Sequence, residues 1–309
     1  MELSVMIVKQ ILSMFLMIAV GMMLIRLHIV GKETGRGLSR IVVHVILPCT
    51  IINAFQIEYT SSIARGFALA FAVAFVCNLF LILFPYTLQF LHLSSVEQAS
   101  ISYPNCGEIL IPLVVSVLSK DMQVYCCAFL VIQIVFLFTH GTVILSKDER
   151  VRFTDLLKNP NVIAILVGIF IFLGNIRLPE IAGGLIDSFA AMIAPSCMLV
   201  IGIAIGDCDW KTILTNKRSY LVCGIRLIVC PLIFLLLFKI TGITRMFDGA
   251  KDILLIVFMA TASSVAATVS NLAQNFDNDA AEAGIINVMS VAFMIITLPA
   301  AVMLYQRFI

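Results

Sequence analysis

Apolar runs of membrane-spanning length follow one another almost without pause from Val5 to Tyr305, divided only by short charged punctuation. A helix needs roughly 20 mostly apolar residues to cross the hydrocarbon core of a bilayer. The runs are Val5–Ile25, Leu38–Ile57, Gly66–Leu91, Val96–Leu118, Val124–Leu145, Val162–Ile176, Leu185–Ile205, Tyr220–Ile240, Ile253–Ala273 and Ala283–Tyr305, and they use up most of the 309 residues. A chain that is 61% hydrophobic and 12% charged, with a mean hydropathy of +1.09, has too little polar surface for a soluble domain of this size. The expected fold is therefore an all-α polytopic membrane protein of about ten transmembrane helices, with the lipid bilayer as its first partner. Met1 to Gln10 carries Glu2 and Lys9 but lacks the basic segment and cleavage site of a removable signal peptide, so it reads as part of a retained first helix.

Composition also removes several function classes. The net charge of +2 is small and dispersed, which argues against nucleic-acid binding. Most of the nine cysteines fall within apolar runs, none in a Cys-x-x-Cys pair, and read as small packing residues. Four scattered histidines do not complete a ligand set, so neither a metal nor a cofactor is expected. The chain lacks His-Glu-x-x-His, Gly-x-Ser-x-Gly and Gly-x-Gly-Asp, so it is not read as an intramembrane enzyme. A non-transporting membrane receptor or sensor is the alternative, although such proteins usually carry a soluble output module and these loops are short.

Lysine and arginine set the orientation. Arg26, Lys32, Arg36 and Arg40 follow the first run, Lys147, Arg150, Arg152 and Lys158 the fifth, and Lys211, Lys217 and Arg218 the seventh. These loops are placed in the cytoplasm, with both termini outside, in a plasma (cell inner) membrane. Pro48 and Pro195 lie in the second and seventh runs, and Pro85 and Pro231, almost equally separated, in the third and eighth. That spacing suggests two halves of five runs, 1–145 and 161–309, joined by a linker at 146–160. An odd number of spans per half inverts the second half and places a binding site between them at the midplane.

The fourth run carries a polar break, Ser102-Tyr103-Pro104-Asn105-Cys106-Gly107-Glu108, followed by Ile109-Leu110-Ile111-Pro112-Leu113. Backbone that leaves the helix at membrane depth must find partners in a buried or water-lined place. Broken spans of this kind mark substrate sites in secondary transporters. A half-helix starting near Gly107 would offer N–H groups and a positive dipole end to a carboxylate. Asn105 can hold an anion or brace the break. Ser263, Ser264, Thr268 and Asn271 of the ninth run would approach from the other side, or bond back to their own helix. Glu108 is the sharpest residue, since a carboxylate at membrane depth costs at least ~2.5 kcal/mol. It is a candidate proton carrier coupled to anion movement; the alternatives are a wet vestibule or a structural ion pair. Arg226 reads first as an interfacial anchor within snorkelling reach, and second as an attractor of cytoplasmic anions. His44, Asn53, Asn78, Gln133, His140 and Asn287 read as interhelical hydrogen-bonding residues, with Gln133 promoted toward the substrate.

The chain resembles the auxin efflux carrier family, whose first broken span commonly reads Asn-x-x-x-x-Gly-Ile-Pro-Leu; here Asn105 and Ile111-Pro112-Leu113 keep the spacing, with Leu110 in place of glycine. Lys158-Asn159-Pro160 before Ile163–Gly168, Ala194-Pro195 with Leu199–Gly202, Asn271–Phe276 followed by Asp279, and Thr297-Leu298-Pro299 are similar to later family segments. The resemblance implies two inverted five-helix repeats with broken crossover helices four and nine. It implies a scaffold from spans one, two, six and seven, a mobile transport part from the rest, and a homodimer. It also implies a small organic anion substrate, malate-like or auxin-like; the candidate substrate contacts, taken from the residues themselves, are Asn105, Cys106, Gly107, Glu108, Pro112, Gln133, Ser263, Ser264, Thr268 and Asn271. Two departures stand out: Ser264 where the ninth span usually has proline, and Glu108 where the family has an apolar or aromatic residue. A sodium-coupled symporter of similar architecture is a further alternative, with Glu108, Asn105, Ser264 and Thr268 as oxygen ligands.

Overall fold

The computed structural model of the chain describes residues 2–118, 120–146, 158–208 and 210–309. Most of the expected linker, with Lys147, Arg150 and Arg152, lies outside the described residues. The main helices are α1 (Glu2–Arg26), α2 (Lys32–Ala54), α3 (Ser61–Thr87), α4 (Ser95–Ser102), α5 (Cys106–Leu110 continuing as Ile111–Val117), α6 (Met122–Leu145), α7 (Pro160–Leu173), α8 (Glu180–Asp207), α9 (Lys217–Thr241), α10 (Ala250–Thr261), α11 (Ala267–Asn275) and α12 (Ala280–Phe308). Among the described residues, α2, α3, α6, α8, α9 and α12 are each long and apolar enough to cross a membrane. The protein is thus an all-helical, multi-pass membrane protein. The fourth and ninth apolar runs do not form continuous helices: α4 stops at Ser102 and α10 at Thr261.

Proline shapes several helices without ending them. Val42–Ile46 of α2, Cys106–Leu110 of α5 and Ile225–Val229 of α9 are wound as wide π-turns. Each lies just before a proline, Pro48, Pro112 and Pro231 respectively. Proline brings no N–H and its ring crowds the carbonyl four residues back, and a locally widened turn accommodates both defects.

The chain divides into two compact units, each drawn from distant stretches of sequence. The first gathers Met1–Phe67, Gly107–Cys127 and Thr154–Asp209. Here α1 packs on the second half of α8, α7 and the first half of α8 pack on Leu47–Ala54, and Ile111–Val117 of α5 packs on α1 and α8. Small residues let helix backbones approach closely. A Cβ on Gly202 would lie 2.2 Å from the Ile18 carbonyl oxygen, and one on Gly21 would lie 2.7 Å from that of Leu199. Gly202→Val must therefore push α1 off α8 and is expected to destabilise the protein by roughly 1–3 kcal/mol. Thermal unfolding in detergent reads this directly, and an unchanged midpoint would contradict the close contact.

The second unit gathers Ala68–Cys106, Ala128–Phe153 and Trp210–Ile309. At its centre α12 packs against α4, α9, α10 and α11. Tyr305, fully buried, closes α12 onto α10 by donating to the Lys251 carbonyl at 2.8 Å. The last turn of α6 packs against α4 and α11. The two interrupted runs meet inside this unit.

Candidate functional site

Helix α4 begins firmly. Ser94 accepts from the Glu97 N–H at 3.1 Å while Glu97 accepts from the Ser94 N–H at 2.8 Å, a reciprocal cap. The Glu97 carboxylate is buried and takes Nε and Nη2 of Arg218, at 2.7 and 2.5 Å. Arg218 also donates to the Leu91 and His92 carbonyls, so one guanidinium ties the start of α9 to the start of α4.

Two turns later α4 ends at the polar break, with Tyr103 in an extended conformation. Residues 103–105 lie antiparallel to residues 264–266: the Asn105 N–H donates to the Ser264 carbonyl at 2.7 Å, and the Ala266 N–H to the Tyr103 carbonyl at 3.0 Å. Buried backbone must have its polar groups met, and in lipid there is no water to meet them. Side chains supply what the short pairing leaves over. Gln133 Nε2 donates to the Pro104 carbonyl. The Val265 N–H donates to Ser290 Oγ at 3.0 Å, Asn287 Nδ2 donates to the Val265 carbonyl at 2.8 Å, and the Ser264 N–H meets Met294 Sδ at 3.3 Å. The backbone groups of the break are thereby almost wholly accounted for.

The expected site residues fall into distinct situations. Asn105, Cys106, Gln133, Ser263 and Ser264 are all buried at or beside the pairing, in the second unit. Ser263 Oγ donates back to the Ala260 carbonyl at 2.9 Å, while Ser264 Oγ and Gln133 Oε1 are buried with no hydrogen-bond partner. Thr268 is half-buried and Asn271 exposed, both on α11. Gly107, Glu108 and Pro112 belong to the first unit, where Glu108 is half-buried and Pro112 buried in α5.

The structure corrects three expectations: His44 Nδ1 and Asn78 Nδ2 bond back to the Arg40 and Ala74 carbonyls of their own helices at 2.9 and 2.8 Å rather than across helices, and the third concerns Arg226. Arg226 is not an interfacial anchor: it is 0% exposed, and its Nη1 points to the Ile101 carbonyl at 3.4 Å inside the second unit. Snorkelling would leave the head group in water.

A second polar chain centres on His140, read from the sequence as an interhelical hydrogen-bonding residue; sequence reasoning missed its partners Tyr103 and Tyr86. Tyr103 OH donates to the Phe136 carbonyl at 3.0 Å and lies 2.7 Å from His140 Nδ1, whose Nε2 lies 2.9 Å from Tyr86 OH. When the Tyr103 hydrogen goes to Phe136, Nδ1–H donates to Tyr103 and Nε2 accepts from Tyr86; when it goes to Nδ1, Nε2–H donates to Tyr86 instead. His140 thus holds the phenol that precedes Pro104. On α12, Asn287 makes the interhelical bond expected of it, and Ser290, three residues on, was the available signal for the rest of the bracing.

The model of the family described as membrane transport protein matches residues 6–152 and, a second time, residues 149–301. No curated protein matches the chain.

Proposed function

Because this chain belongs to the membrane transport protein family, the auxin efflux carriers, we propose that it is a secondary transporter of a small organic anion, working by alternating access around its two interrupted helices. The observation that carries the reading is the buried pairing of residues 103–105 with 264–266, flanked by the unpartnered Ser264 hydroxyl and Gln133 oxygen. Irregular backbone at membrane depth is the usual setting of a transporter's binding site. Two family matches, one per half, support a duplicated plan of five plus five helices with an inverted second half.

In this reading Asn105, Cys106, Ser263 and Ser264 contact the substrate, Gln133 braces the break, and Gly107, Glu108 and Pro112 follow in the next turns of the chain. Thr268 and Asn271 extend the set along α11. Glu108 carries a proton with the substrate. The protein works as a homodimer in the plasma (cell inner) membrane, both termini outside.

Currents from proteoliposomes on a sensor surface test this, with malate and indole-3-acetate supplied at two pH values, with and without sodium. A substrate-specific current that persists in choline is expected, steeper at low pH in the wild type and flattened in Glu108→Gln. An unchanged pH profile in Glu108→Gln would end the proton-coupling role. Loss of current in choline would favour the sodium-coupled alternative.

A further inference from the structure

Arg226 is buried with two idle donors at the end of the first half-helix. It sits in the π-wound segment Ile225–Val229 of α9, which packs against α4 and α12. Its Nη1 reaches the Ile101 carbonyl at 3.4 Å, a long contact to one of the last carbonyls of α4. Helix C-termini leave such carbonyls unmet and favour a cation, so this contact explains where the guanidinium lies. It does not explain the other edge. Nε and Nη2 are buried and have no hydrogen-bond partner. The Cys230 thiol on the same helix is a weak neighbour of the guanidinium rather than a charge partner, and no carboxylate pairs with Arg226 among the described residues. A buried charge with idle donors is unfavourable unless something completes it.

We propose that Arg226 is the charge partner of the transported anion, taking the two oxygens of one carboxylate side-on through Nε and Nη2. This rests on the organic-anion reading above. Nε and Nη2 carry parallel N–H bonds along one edge of the planar guanidinium, the spacing a carboxylate matches. Ser100 and Ser102, on either side of Ile101, and Ser264 at the pairing present buried hydroxyls with no partner. Among the described residues of this unit Arg226 is the single buried cation. One positive charge balances one carboxylate, so the site favours a monocarboxylate over a dicarboxylate or a phosphate dianion.

The test compares wild type, R226K and R226Q in proteoliposomes, with labelled indole-3-acetate, malate and the neutral indole-3-acetamide. Wild type should carry the monocarboxylate in preference to malate. R226K keeps the charge but loses the side-on pair, and its apparent KM for the acid should rise about tenfold or more. R226Q should lose acid transport by about a hundredfold yet bind the amide no worse than wild type, an outcome that a merely structural arginine would not produce. An acid KM in R226K and R226Q within about twofold of wild type overturns the proposal while leaving the anion reading in place. If the wild type carries no organic anion, the underlying reading falls instead. Should the variants not purify folded, the wild type decides: the acid must protect against thermal unfolding and the amide must not, and equal protection overturns the assignment.

Discussion

Ala266→Pro is expected to stop transport by at least about tenfold while leaving the helices in place. Ala266 already has φ −64° and ψ 129°, a backbone conformation that proline adopts without strain. Val265 before it sits in the antiparallel pairing, which suits the residue preceding a proline. The substitution therefore removes little except the N–H that donates to Tyr103 at 3.0 Å. That leaves a buried carbonyl unmet, at about 1–3 kcal/mol, in a setting where no water can replace the donor. Ala267→Pro is the matched control. Position 267 opens α11, where the N–H has no intrahelical acceptor and proline is well tolerated. Uptake and melting of the two variants should differ sharply, with Ala267→Pro close to wild type. Wild-type uptake in Ala266→Pro would mean that the pairing of the two breaks is dispensable.

Arg218→Ala should be the most destabilising single change outside the close helix contacts. It leaves Glu97, 1% exposed, with no counter-charge and with the Ser94 N–H as a remaining donor. Breaking a buried pair by removing one partner costs about 3–5 kcal/mol. The Arg218 side chain is 45% exposed, so solvent screens part of the pair, and about 2–3 kcal/mol is the better figure. The Leu91 and His92 carbonyls lose a donor as well. Adding Glu97→Gln to Arg218→Ala should recover part of the loss, because an unpaired amide is cheaper to bury than an unpaired carboxylate. Thermal unfolding in detergent checks both steps. A double variant no more stable than Arg218→Ala would show that the cost lies in the lost carbonyl contacts rather than in the charge.

Much of the helical plan was readable because a bilayer dictates the length of an apolar run, and α2, α3, α6, α8, α9 and α12 lie where runs of that length fall. The first break was legible too, since Pro104, Asn105 and Gly107 are poor helix residues. The second was not. Thr261-Ala262-Ser263-Ser264 contains no helix breaker, and the chain leaves the helix there because Tyr103, Asn105, Asn287 and Ser290 offer its backbone partners that no local rule reveals. Arg226 was misplaced for a similar reason. Distance from a helix end says how deep a residue lies along the bilayer normal but not which way it faces. The bond between Glu97 and Arg218 spans 121 positions and left no trace in either segment alone.

Labelled-anion counterflow, comparing wild-type proteoliposomes with Asn105→Ala, tests the central claim most directly. Exchange registers whether transport is electrogenic or electroneutral, so it does not depend on the role of Glu108. The account predicts that wild type accumulates labelled monocarboxylate against an internal unlabelled pool and that Asn105→Ala, folded by its melting curve, does not. Equal accumulation by the two proteins would remove the interrupted helices from the transport path. No accumulation by folded wild type for any organic anion would contradict the account itself.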